Sequence, residues 1–359
     1  MIDLITSFLI NREWTSVKTT DIFHELRPPN DLKFPEEFRL FIPTDSNKSD
    51  SKRFLDNLIE IVAEIYSLNI EDLNVIFKNQ DTVLKVRVYD EQTINGRMPL
   101  NRFEEFIDKI RSILSDTASF VIDKDATSIR IPEEVSRYLN LCNFMQTEIG
   151  SFIAKIQLPT TEIIKESELF ERQTIYSEEI NTKLSEVLKF INEDIFESTS
   201  SINDEYLIEN ENKINIKLLK DIESFFDKAG IKNIDFTFHS IKSTEIISNK
   251  NITKQKLNRL NQLVEYVKKS EFQVGVFTLK GRITALKSQD PDGLRNSVIF
   301  SGLIDNIIVT GTAYLTSENY REAIEAHKLK QNIEITGLSK RTKTKIKFTE
   351  VTNFVIEDF

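Results

Sequence analysis

The densest run of chemically capable side chains is Ser339-Lys340-Arg341-Thr342-Lys343-Thr344-Lys345, followed after Ile346 by Lys347. Lys340, Arg341, Lys343, Lys345 and Lys347 place five cations within eight residues, a pattern suited to neutralising phosphates. The same alternation of Lys and Thr on a hairpin also keeps an edge strand solvated and unpaired. Residues 272–359 hold 12 of the 47 basic and 10 of the 57 acidic side chains, which leaves 35 against 47 in the rest. The basic tip therefore stands out in a chain of net charge −10, and that overall charge works against non-specific binding to polyanions. Arg282, Lys280, Phe300 and Tyr314 are the further residues that would extend a surface around the tip, Tyr314 as the best stacking aromatic, with a place in the core as the equal alternative for Phe300.

A second candidate is the string Phe144-Met145-Gln146-Thr147-Glu148-Ile149-Gly150-Ser151-Phe152, which runs on to Pro159. Gln146, Thr147 and Glu148 fall between a helix ending near Cys142 and a strand beginning at Gly150, a loop position at a sheet end where binding residues gather. The structural alternative is that Thr147 and Glu148 only tie the loop down with hydrogen bonds. Together with Tyr320 to Gly337, this string resembles a family of uncharacterised bacterial proteins with a mid-chain Gly-Gln-Thr-Glu-x-Gly-Ser-aromatic segment and a β-rich C-terminal module. The resemblance covers most of the chain, with Met145 standing where the family pattern has glycine, and it implies no activity.

Other reactive constellations are missing. No GxxxxGK, GxGxxG, HExxH, CxxC or GxSxG motif occurs. Histidines at 24, 239 and 327 form no metal-ligand spacing, and a single cysteine, Cys142, excludes a disulfide framework and is expected to be buried. Ser49-Asp50-Ser51-Lys52 spells SxxK but reads as a helix cap, and Asp290-Pro291-Asp292-Gly293 reads as a turn because no glutamate follows to complete a Ca²⁺ loop. No cofactor and no metal are expected. Catalysis would need residues assembled by the fold, around Gln146-Thr147-Glu148 or on a polar sheet face, so the reading leans away from an enzyme.

The elements that must position these residues follow from the chain breakers. Six of nine glycines lie between Gly275 and Gly337, while seven of eight prolines precede residue 160. Between Ile164 and Val274 there is no proline and one glycine, which predicts a largely helical stretch. The expected division is an α/β domain over 1–160, a helix-rich α/β segment over 161–271 that packs with the first as one body, and a small β-barrel over 272–359. In the first part, alternation predicts strands at 38–42 and 82–89, and apolar spacing predicts helices over 54–66 and 103–121, the latter capped at Asn101 with Glu104. Strands at 83–89, 151–158 and 234–240, if they share a sheet, would line one face with Lys85, Arg87, Lys155, Gln157, Asp235 and His239.

The last 88 residues read as strands at 273–286, 297–304 and 307–315, a helix from a cap at Ser317 to about Lys330, and strands at 332–338 and 346–356. Three strands, a helix and two strands is the order of an OB-fold, with Gly281 permitting the bend that closes the barrel. The basic tip then falls in the loop between strands 4 and 5, where such folds contact oligonucleotides. The apolar run 296–317 would be long enough for a membrane span, but its two glycines, Gly302 and Gly311, and its period-two alternation predict strands instead. The sequence thus predicts an α+β multidomain, non-enzymatic, cytoplasmic protein of bacterial composition whose OB-like module contacts single-stranded nucleic acid. A scaffold or assembly subunit of a bacterial multiprotein system is the alternative, motivated by the acidic helix-rich middle; phage defence is a setting for it that no residue specifies.

Overall fold

The computed structural model describes the chain apart from residues 46–50, 94–95, 123–131, 147–151, 166–172, 199, 271, 289, 291–292, 294–295, 305–306 and 357–359. It is a mixture of helices and several sheets, divided into two compact units, 1–192 with 224–253 and 193–223 with 254–359. The 161–271 stretch is thereby shared between the two.

The first unit opens with α1 (Ile2–Ile10), the sheet β1 (Thr15–Thr19), β2 (Phe23–Arg27) and β3 (Leu40–Pro43), then α2 (Ser51–Tyr66) and α3 (Ile70–Lys78). There follow β4 (Thr82–Val88), α4 (Leu100–Ile122), α5 (Glu133–Leu141), β5 (Asn143–Met145), β6 (Phe152–Leu158), the hairpin β7 (Glu162–Lys165) and β8 (Gln173–Tyr176), and α6 (Ser177–Phe190). Beyond α7 (Asp204–Glu209) and α8 (Ile216–Lys228), β9 (Ile234–His239) and β10 (Thr244–Asn249) return to this unit. Helix α4 begins directly after Pro99, so Asn101 lies within its first turn and is not its cap. Proline suits the position before a first turn because its missing N–H would have no partner there.

One antiparallel sheet, in the order β10-β9-β4-β6-β5, holds all three strands whose alternation suggested a shared face. Leu84, Val86 and Val88 point to one side, where Phe106 meets Phe152 at 5.4 Å and Phe225 at 5.5 Å between ring centroids. Lys85 and Lys155 lie opposite each other in register on the other side. Helix α3 covers them and inserts the fully buried Asp72 between their ammonium groups, with Oδ2 2.8 Å from Lys85 Nζ and Oδ1 2.9 Å from Lys155 Nζ. Burial alone would raise the Asp72 carboxyl, but the two ammonium groups hold it below its usual value. The buried imidazole of His239 shares the face, and burial followed by the Lys85 charge pushes it down to about 4. Gln157 donates to Asp81 at 2.6 Å, and Tyr89 donates to Asp235 at 3.2 Å. The polar face is thus consumed largely in internal pairing.

Helix α3 is held in place by Leu73, Ile76 and Phe77, which join a core that also contains Trp14, Val62 and Val83. Its start is fixed by Asn69, whose side chain accepts from the Glu71 N–H at 2.7 Å. Replacing Asn69 by Ala is expected to cost about 1 kcal/mol, read as a lower urea midpoint by the fluorescence of Trp14, the single tryptophan.

In the second unit, α9 (Lys254–Ser270) leads into β11 (Gln273–Lys287), β12 (Asn296–Ile304), β13 (Ile307–Leu315), α10 (Ser317–Leu329), β14 (Asn332–Arg341) and β15 (Lys345–Ile356). The strand order β11-β12-β13-β15-β14 closes on itself because β11 also pairs with β14. Every pairing is antiparallel except β13 with β15, where Thr310 to Thr312 run parallel to Lys345 to Lys347. Closure depends on Gly281, which sits where β11 passes from pairing with β14 to pairing with β12. The apolar run 296–317 forms β12 and β13, and among the described residues no helix is long and apolar enough to cross a membrane. The cap of α10 is Thr316, one residue before the expected Ser317, because its hydroxyl accepts from the Asn319 N–H. Phe300 is fully buried, stacked on Phe348 with centroids 6.1 Å apart, and so adds to the core and not to a surface.

Candidate nucleic-acid interface

The basic run occupies the end of β14, the tip and the start of β15. Thr342 N–H donates to the Lys345 carbonyl at 2.8 Å, and Thr310 N–H donates to the Thr344 carbonyl at 2.9 Å, so the tip is fastened to β13. Lys343 N–H donates to the carbonyl of Ser270, which ends α9. These backbone bonds hold the tip in one conformation without spending its side chains.

Those side chains meet an acidic surface. Helix α7 brings Asp204 to the tip, where one carboxylate oxygen accepts from the hydroxyls of Thr342, at 2.8 Å, and Thr344, and the other accepts from Tyr266 at 2.8 Å. Burial would raise this carboxyl, but the three hydroxyls and the Lys345 charge hold it below its usual value. Lys340 reaches Glu211 at 3.2 Å and donates to the Ile208 carbonyl at 3.3 Å. Lys345 stands 3.8 Å from Glu205, and Arg341 lies over the Phe277 ring with 5.6 Å to its centroid. Burial of Leu207 and Ile208 seats α7, which supplies the driving force for holding these charges together.

A groove of about 1010 Å³ opens on the outer face of β12 and β13. Its floor carries Ser297, Ile299, Thr310, Thr312 and Tyr314, and its sides carry Lys287, Lys345 and Lys347. Tyr314 is 54% exposed, whereas Val309, Ala313 and Leu315 on the alternate positions of β13 are buried in the core. Glu205, Ile208 and Glu209 form one wall and Asp290 stands at another edge. Among the described residues, three cations and three carboxylates therefore line the same groove.

Of the residues singled out from sequence, Lys345 and Lys347 line this groove, while Lys340 is committed to Glu211 and the Ile208 carbonyl. Arg282 is not brought to the tip: it pairs in register with Asn332, at the opposite end of β14 and roughly 30 Å of strand away at about 3.3 Å per residue. Gln146 is exposed beside β5, and Thr147 and Glu148 lie outside the described residues. Cys142 is half-buried, not buried; its thiol donates to the Tyr138 carbonyl, and burial pushes it up to about 12, far from a reactive thiolate. His327 Nδ1 lies 3.1 Å from the Ile283 carbonyl, and among the described residues no group of His, Cys, Asp or Glu could hold a metal ion. Sequence reasoning missed Asp204, Glu205, Glu209 and Glu211. Their only local signal is an asparagine followed by acidic residues, which is how an ordinary helix begins.

No family model, curated protein or solved structure matches this chain. The groove must be interpreted from its own chemistry.

Proposed function

We propose that residues 272–359 form an OB-like barrel that contacts single-stranded nucleic acid through the β12–β13 face. The observation that carries this reading is the strand order 1-2-3-5-4 with its parallel 3–5 pairing and a helix between strands 3 and 4, joined to a groove on strands 2 and 3. OB-folds use that face and the loops beside it for oligonucleotides. Tyr314 supplies an exposed ring for base stacking, Ile299 an apolar floor, and Lys287, Lys345 and Lys347 contacts for phosphate.

Fluorescence anisotropy with labelled single-stranded DNA and RNA tests the proposal. Binding that weakens as salt rises is expected, with Tyr314→Ala costing about 1–3 kcal/mol for the lost stacked base. Lys347→Gln should weaken binding to all sequences alike and reduce the salt slope by about one. Binding absent at low salt, or indifferent to both substitutions, overturns the reading.

A further inference from the structure

Resting on that reading, we infer that the acidic wall of α7 selects the ligand by structure, admitting unpaired strands and rejecting duplexes. Among the described residues the lining of the groove sets three carboxylates against three cations, which weakens without abolishing the attraction of Lys287, Lys345 and Lys347 for phosphate. The cation nearest the wall, Lys345, already faces Glu205. The attraction that distinguishes one ligand from another then comes from Tyr314 and Ile299, which reward a base whose flat face is free. In a duplex that face is covered by the neighbouring pairs, while the phosphates lie about twice as densely along the axis as on one strand. Repulsion from Glu205 and Glu209 therefore falls hardest on the ligand that cannot compensate by stacking. A repulsive element of this kind confers specificity at the expense of affinity.

The wall is fixed in place by groups other than the ones that repel. Leu207 and Ile208 are buried and Asp204 is held by three hydroxyls, whereas the side chain of Glu205 is 70% exposed and Glu209 is exposed. Glu205→Gln with Glu209→Gln thus removes two charges while the helix stays seated.

The test compares the full-length wild type and this double variant by anisotropy, using a single-stranded oligonucleotide of about sixteen nucleotides and its duplex. The wild type should favour the single strand. In the variant duplex binding should tighten by about tenfold and single-strand binding by only about threefold at low salt, with both gains shrinking as salt screens the charges. An unchanged preference between the two ligands overturns the selective wall while leaving the groove's proposed function standing. No salt-dependent binding of either ligand by either protein overturns that function, and this inference with it.

Discussion

Asp72→Asn should destabilise the first unit by about 3–5 kcal/mol, the usual result of removing one partner from a buried ionic cluster. The reason is a charge count. Lys85 and Lys155 share one carboxylate beneath α3, so the cluster already carries one excess positive charge. Loss of Asp72 raises that excess to two at a site where Asp72 is fully buried and Lys155 nearly so. Lys155→Met, by contrast, leaves Asp72 and Lys85 paired one to one and should cost less, about 1–3 kcal/mol, for the buried carboxylate oxygen that loses its hydrogen bond. Urea unfolding followed by Trp14 fluorescence reports both, because Trp14 lies in the same core as α3. Equal losses for the two variants would show that volume, not charge, decides the outcome.

The same cluster sets a pH dependence. His239 is held neutral in the fold at about 4, below its unfolded value near 6.5. Its contribution is complete above about pH 6.5 and is lost as pH falls toward 4, because the unfolded chain takes up the proton first. That loss amounts to about 3 kcal/mol, from roughly 1.4 kcal/mol for each pH unit of difference. Asp72, also depressed in the folded chain, adds a second loss at still lower pH, below the ordinary carboxylate value. His239→Asn should flatten the decline between pH 6.5 and 4.5; an undiminished slope would assign it to other groups.

Gly281→Ala should open the C-terminal ring, at a cost of at least about 3 kcal/mol, the upper range for forced overpacking. Gly281 and Gly302 face each other in register, and a Cβ on Gly281 would sit 2.0 Å from the Ser301 carbonyl oxygen. A Cβ on Gly302 would meet the Lys280 carbonyl at the same distance. Backbone, not a flexible side-chain end, fills the space, so the strands must separate to admit a methyl group. Hydrogen exchange resolved over β11 to β15 should show protection falling by about a hundredfold, the equivalent of about 3 kcal/mol. Gly275→Ala is the control, since its Cβ would meet only the Phe277 ring at ordinary contact distance, 3.5 Å. Full protection in the Gly281 variant would mean that the strands can part without losing closure.

These expectations show how unevenly the chain discloses itself. The strands of the ring are written in local alternation, and Gly281 marks its corner because only a residue without a Cβ allows two strands to approach so closely there. The three strands of the α/β sheet are as plain, and their polar face is identifiable as a set. Its meaning is not, because Asp72 lies 83 residues from Lys155 and reads in isolation as one more acidic side chain near a helix start. The candidate site divides in the same way. Lys345, Lys347 and Tyr314 follow from strand order and alternation, both local properties. The acids that face them come from α7, with Asp204 lying 138 residues before Thr342. Sequence alone determined where cations cluster and which strands carry them, since side-chain type and period two act over a few residues. Only tertiary packing, driven by burial of Leu207 and Ile208, decided that the carboxylates of α7 would stand against those cations in one groove.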